Sequence, residues 1–374
     1  MKIRRIIQPK IESYLGKGRA IIIYGPRQVG KTTLVRDIEK GFSGETLYLN
    51  CDEPSVVPNL ENKTSTELRA FIGKKDLVII DEAQRVGNIG ITIKLLVDNF
   101  PTMQIIATGS SSLELANKIA EPLTGRVYTF HLYPFSISEL MQVYSPIELK
   151  TLLPRLLIYG TYPPIVTATS DSERILQEIS QSYLLKDILS FQKIRNPAIL
   201  TKLLAALALQ VGGEVATTEL GNLVGIDKET VNRYIDLLEK TFIISTLSPL
   251  SRNLRKEIGK MRKVYFLDTG IRNALINNLN PLELRGDIGG LWENFVIMER
   301  RKRNNNLGVS PNVYFWRTWT KQEIDYVEEA KGKLSGYEIK WKEKKFRPPK
   351  DFLSTYAGSS VVQINQNNFF DFVG

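Results

Sequence analysis

The sequence predicts an α/β fold, and three observations carry that expectation. Short apolar runs at 21–24, 46–50, 77–81 and 104–109 alternate with segments of helical periodicity, as in a parallel sheet covered by helices. A glycine-containing loop joins the first of these runs to the first strong helical pattern. A second group of strand-like runs closes the chain from residue 313 onward.

Taken in order, residues 1–19 are basic and read as helical, leading into the first strand. The alternation of strands and helices then continues to about 135, which sets a first domain at 1–135. Residues 136–212 read as all-helical, with clear periodicity at 172–189 and 199–212, and form a helical lid. A short helix at 218–224, a turn at Gly225–Ile226 and a helix at 228–241 opened by Asp227 follow. Two alternating runs, 242–250 and 263–268, pair as a hairpin. Helix, turn, helix and hairpin make a winged helix over 213–280. The last domain, 281–374, has a helix at 290–304 and strands at 313–319, 323–329 and 334–341. A basic, proline-containing stretch, a short helix and a strand at 359–365 complete it.

Composition narrows the chemistry. The chain has 374 residues, one cysteine and one histidine. Cys51 alone allows no internal disulfide, and a reducing cytoplasm fits best. A Cys/His zinc site needs about four such ligands, so none can be built. His131 lies in an apolar strand-like run and reads as a core or edge residue. Catalysis therefore rests on carboxylates, lysine, arginine and metal. No run of about 18 apolar residues exists, so no membrane is expected as a partner. The N-terminus does not read as a signal peptide. The net charge of +10 points to an acidic partner, nucleic acid first.

Gly25, Pro26, Arg27, Gln28, Val29, Gly30, Lys31 and Thr32 fit the phosphate-loop pattern G-x-x-x-x-G-K-[ST], and Thr33 extends it into the helix. The glycines let backbone N–H groups face a phosphate, and the helix adds its positive end. Lys31 is expected on the β- and γ-phosphates, and the Thr32 hydroxyl on Mg2+. A second motif, 77–82, ends a buried strand in two carboxylates. Asp81 is placed to hold Mg2+, and Glu82 to orient or deprotonate the attacking water. Ser110, with Thr108 as the alternative, could sense the γ-phosphate at the end of the 104–109 strand. Arg126 is read either as an arginine finger or as a surface arginine.

The segments 25–34, 77–86, 107–115, 123–140 and 159–166, with 265–275 and 290–296 farther on, resemble a family of prokaryotic AAA+-type ATPases that carry a C-terminal domain of unassigned function. The similarity spans nearly the whole chain. It implies ATP as the nucleotide, an AAA+-like core, a winged helix and a nuclease-like C-terminal fold.

In the last domain, Asp325 lies mid-strand, and Glu338 and Lys340 share one face of the next strand. Glu293 lies on the helix before them. Two carboxylates and a lysine on adjoining strands can bind Mg2+ and activate water against a phosphodiester. The order helix, three strands, helix, strand resembles the PD-(D/E)xK nuclease superfamily, a restriction-endonuclease-like α/β domain. Asp325, Glu338 and Lys340 match its D…ExK signature, and Glu293 its helical acid. No proline precedes Asp325, a departure from the signature.

Arg252, Arg255, Lys256, Lys260, Arg262 and Lys263 cluster between the wing strands, with Lys228 and Arg233 on the preceding helix. Such a wing can grip duplex DNA or pack internally. The leading expectation is an ATP-hydrolysing ATPase that acts on DNA. The alternative is a nucleotide-controlled interaction switch whose last domain binds a partner without cutting DNA. A homo-oligomer is left open.

Overall fold

The computed structural model describes residues 2–110, 123–168, 170–184, 197–250, 261–318, 320 and 322–374. Two compact units divide the chain: Lys2–Pro134 with Lys240–Phe242, and Phe135–Glu239 with Ile243–Gly374.

The first unit contains α1 (Gln8–Glu12), β1 (Ala20–Tyr24), α2 (Lys31–Gly41), β2 (Thr46–Asn50), α3 (Val57–Leu60) and α4 (Ser65–Ile72). Then come β3 (Leu77–Asp81), α5 (Ile89–Asn99), β4 (Gln104–Gly109) and β5 (Val127–His131). Among the described residues the strands form a five-stranded parallel sheet in the order β2-β3-β4-β1-β5. β1, β3 and β4 are buried along their whole length, which is why each reads as an unbroken apolar run. Ile21, Ile23, Ile79 and Ile106 pack with Leu34, Val35 and Ile38 of α2. Residues 1–19 are helical only at Gln8–Glu12; Gly16 and Gly18, both at positive φ, follow it before β1. His131 ends β5, the edge strand beside β1.

The second unit begins with α6 (Ile137–Leu140), α7 (Pro146–Tyr159), α8 (Pro163–Thr167), α9 (Ser172–Glu178) and α10 (Pro197–Leu209). Next come β6 (Glu214–Val215), α11 (Thr217–Val224), α12 (Lys228–Lys240), β7 (Ile244–Pro249), β8 (Arg262–Phe266) and α13 (Thr269–Leu275). The unit ends with α14 (Ile288–Leu307), β9 (Asn312–Arg317), β10 (Glu323–Ala330), β11 (Lys333–Ile339), α15 (Lys350–Thr355), β12 (Ser360–Ile364) and α16 (Phe369–Val373). Asp227 caps α12 by accepting from the Thr230 amide at 2.7 Å.

The hairpin expected as a wing is not a separate sheet. β7 and β8 join the C-terminal strands in a seven-stranded sheet, β12-β11-β10-β9-β7-β8-β6. The joint is a short parallel pairing of β7 with β9, Ser248 to Tyr314 and Pro249 to Phe315. β10 and β11 turn on Lys331 and Gly332, both at positive φ, the two-residue loop that matches strand twist. β10 carries a bulge: Ile324 pairs with Trp316 but Val327 with Tyr314, so Asp325 and Tyr326 together oppose one residue. α14 is longer than its periodic pattern suggests, running until Gly308 takes the left-handed conformation. Trp292 on its buried face packs edge-on against Trp341 and Phe369.

Candidate active site

The phosphate loop leaves β1 at the carboxyl end of the sheet, beside the ends of β3 and β4. Gly25 sits so close to the neighbouring chain that a Cβ would lie 2.2 Å from the Leu132 carbonyl oxygen. Gly30, at φ +95°, caps α2 in a conformation other residues rarely adopt. Lys31 is buried, and its ammonium donates to the Gly25 and Pro26 carbonyls at 2.9 and 3.0 Å.

The Thr32 hydroxyl, on the first turn of α2, donates to Asp81 Oδ2 at 2.7 Å. Asp81 also accepts from the Tyr48 hydroxyl on β2 and from the Thr108 hydroxyl on β4. Burial and then the Asp81 charge push the Tyr48 phenol well above its ordinary pKa. Tyr48 thus stays a neutral donor, and Asp81 is oriented from three strands or helices at once. Sequence reading missed Tyr48. Its only signal is alternation on β2, which does not say what faces it.

Glu82 follows in the left-handed region, φ +53°. Its amide donates to Thr108 Oγ1 at 3.1 Å, and its carboxylate accepts from the Gln84 amide. Gln84 also donates to Ser110 Oγ at 3.1 Å. A hydrogen-bonded chain therefore links the two candidate γ-phosphate groups: Thr108 fixes the carboxylate strand, and Ser110 reaches Glu82 through Gln84.

Arg126, read either as an arginine finger or as a surface arginine, falls away from the phosphate loop. Ala20 pairs with Val127 and Tyr24 with His131, so Arg126 lies at the amino end of the sheet. One strand length, about 16 Å, separates it from the loop after Tyr24. Its guanidinium pairs with Asp98 at 2.7 Å. It cannot serve its own phosphate loop.

In the second unit, Glu293, Asp325, Glu338 and Lys340 come together on one side of the sheet. Lys340 Nζ reaches Asp325 Oδ2 at 3.2 Å and Glu338 Oε1 at 2.7 Å, so both carboxylates share a face. The Ile339 amide donates to Asp325 Oδ2 at 2.8 Å. Burial and then Asp325 raise the Glu338 carboxyl, and Glu338 Oε2 is enclosed without a hydrogen-bond partner.

Lys263 is a correction. Expected on a DNA-facing wing, it is 2% exposed and its ammonium lies 3.2 Å from Glu293, 2.6 Å from Glu323 and 3.5 Å from Asp325. The Tyr265 hydroxyl donates to Glu293 Oε1 at 2.6 Å. Burial alone would lower the Lys263 pKa, but Glu293, Asp325 and Glu323 together outweigh it and raise it. Burial, with Asp325 adding to it, pushes the Glu293 carboxyl up to about 7. Among the described residues no three His, Cys, Asp or Glu side chains are arranged to hold a metal ion.

Of the other wing cations, Arg252, Arg255, Lys256 and Lys260 lie outside the described residues. Arg262 is partly exposed and pairs with Asp236 at 3.5 Å. Among the described residues no helix is long and apolar enough to cross a membrane.

Residues 17–141 match the family model of an AAA domain. Residues 150–282 and 288–370 match two models described as domains of unknown function. An uncharacterized protein of Mycobacterium tuberculosis is 28% identical over 344 residues, covering 90% of this chain and 74% of the relative. One from Methanocaldococcus jannaschii is 27% identical over 353 residues, 87% of this chain and 76% of the relative. Among solved structures the chain is similar to the Walker-type ATPase of Pyrococcus abyssi, at 15% identity and TM-score 0.47. That likeness covers 72% of this chain and 94% of the other. The AAA-domain match, together with a parallel sheet and its phosphate loop, supports nucleotide binding and ATP hydrolysis.

Proposed function

We propose that the chain hydrolyses ATP at the phosphate loop and couples this to action on DNA. The observation that carries the first half is the Thr32 hydroxyl set 2.7 Å from the Asp81 carboxylate at the head of α2. A hydroxyl and a carboxylate adjoining a phosphate loop are the hard oxygen donors that suit Mg2+. Thr32 and Asp81 would hold the ion, which supplies charge neutralisation to the phosphates. The loop amides and Lys31 bind and orient the triphosphate. A phosphate oxygen would compete with the Gly25 and Pro26 carbonyls for the Lys31 ammonium. Glu82 accepts a proton from the water whose oxygen attacks the γ-phosphorus, and ADP leaves. Gln84 restrains the Glu82 carboxylate and ties it to Ser110, which gives the phosphate state a route into β4.

The second half rests on the net charge, on Lys228, Arg233 and Arg262 of the winged helix, and on the D…ExK cluster. In this reading 1–135 is the ATPase domain, 136–212 a helical lid, 213–280 a winged helix and 281–374 a nuclease-like domain. The second reading is a nucleotide-controlled switch whose last domain binds without cutting. It is favoured by the ammonium groups already paired with the C-terminal carboxylates. ATPase assays with and without DNA, beside a Mg2+/Mn2+ cleavage assay, separate them. DNA-stimulated turnover supports the first reading, and salt-insensitive indifference to DNA supports the second.

A further inference from the structure

We infer that Lys263 is a built-in cation that occupies, among Glu293, Glu323 and Asp325, the position a divalent ion would otherwise take. This deepens the nuclease-like reading of the same cluster and rests on it. In that reading the carboxylates of a helix and two strands converge to hold a metal. Here two of that set, Glu293 of α14 and Asp325 of β10, converge with Glu323 of β10 on an ammonium delivered by β8. β8 lies outside the D…ExK motif, with β9 and β7 between it and β10, so the intruding lysine comes from the winged-helix part of the sheet.

The placement is built into the fold. On β8, Lys263 and Tyr265 share one face by alternation, and both reach Glu293 Oε1. The bulge at Asp325–Tyr326 changes how β10 presents Asp325, and Asp325 meets Lys263 with Oδ1 and Lys340 with Oδ2. Lys263 also lies beside the ring of Phe315, 5.7 Å from its centroid. A divalent ion seated among the same oxygens would stand within a few ångströms of a buried positive charge. One site cannot hold both.

A consequence is that the native cluster spends its acidic charge internally, and that removing the lysine frees it. The test measures Mn2+ binding to the full-length, nucleotide-free chain carrying Asp81→Asn, so that the phosphate loop contributes no ion. With Lys263 present, Glu293→Gln and Glu323→Gln should leave the Mn2+ count unchanged. Lys263→Met, close in volume, should gain one Mn2+ per chain and a melting temperature that rises with Mn2+. Adding Glu323→Gln to that variant should remove the gain. Loss of an ion on Glu293→Gln or Glu323→Gln in the Lys263 chain overturns the inference. So does a folded Lys263→Met chain with an unchanged count. If Lys263→Met does not fold, the two glutamine variants decide alone. Failure of the nuclease-like reading shows separately, as DNA affinity indifferent to Asp325→Asn.

Discussion

Replacing Asp287 with Asn should loosen the helix that carries Glu293, by an amount the structure allows to be worked out. Asp287 is the residue before α14, and its carboxylate holds two guanidiniums. Arg285 bonds both of its oxygens at 2.8 Å, and Arg272 reaches Oδ2. Both arginines are almost fully buried, while Asp287 is about a quarter exposed. Burial opposes its charge, but the two arginines win and hold the carboxyl down from 3.8 to about 2. A shift of that size corresponds to about 2 kcal/mol, or about 1–2 kcal/mol once its solvent exposure is allowed for. Leaving two buried guanidiniums without an anion adds to this, giving a total near 3 kcal/mol at pH 6. The sign follows from the depressed value. The contribution is present above the unfolded value of 3.8 and is lost as pH falls through about 2. The assay is available without labelling, because the chain's four tryptophans all lie between residues 292 and 341, and the described ones, Trp292, Trp316 and Trp341, belong to the second unit. Their fluorescence during urea unfolding should show the Asn variant weaker by about 3 kcal/mol at pH 6. That corresponds to a melting temperature lower by about 6–12 °C. The gap should narrow by about 1 kcal/mol at pH 3. A gap under about 0.5 kcal/mol, or one that does not change with pH, would show that the Asp287 carboxylate does not hold the two arginines in this way.

Other outcomes follow from the same geometry. Gly25→Ala should abolish nucleotide binding, because its Cβ can be fitted only by moving the Leu132 backbone; fluorescent nucleotide titration checks this. Tyr48→Phe should keep nucleotide binding but raise the Mg2+ concentration needed for half-maximal turnover several-fold, since one donor that orients Asp81 is gone. Glu293 is held up at about 7, so the folded chain keeps a proton that the unfolded chain releases near 4.5. Stability of the second unit should therefore fall as pH rises from 4.5 through 7, and Glu293→Gln should flatten that slope in pH-dependent unfolding. Replacing Arg252, Arg255 and Lys256 with Ala should lower the slope of log affinity for duplex DNA against log salt by about 2 to 3. An unchanged slope would leave the wing without a role in gripping phosphates.

The parts legible in the sequence are those fixed by local chemistry. Gly25 and Gly30 are needed for a close approach and a left-handed cap, and both constraints act within a few residues. The run 77–80 is apolar because β3 is buried on both faces, and the two acids that follow mark the strand's carboxyl end. Asp325, Glu338 and Lys340 were found by spacing because adjoining antiparallel strands make spacing into distance. What spacing could not supply was direction and long-range pairing. Arg126 looks placed for catalysis until β5 is known to run parallel to β1, which sends it to the far end. Lys263 looks like one more wing cation, since nothing within β8 signals that β7 will pair with β9. That pairing makes a wing strand the neighbour of the C-terminal carboxylates. Tyr48 was unreadable for a similar reason, as its partner Asp81 lies on another strand, and the bond from Gln84 to Ser110 likewise joins residues far apart in sequence.

The role proposed for Glu82, set beside an oriented Asp81, is to turn a nucleotide site into a hydrolytic one. It is tested most directly by measuring ATP binding and phosphate release by the wild-type chain and Glu82→Gln in the same Mg2+ buffer. Unchanged ATP affinity and a turnover rate lower by on the order of 100-fold or more are expected in the variant. A Glu82→Gln chain that releases phosphate at the wild-type rate would contradict it.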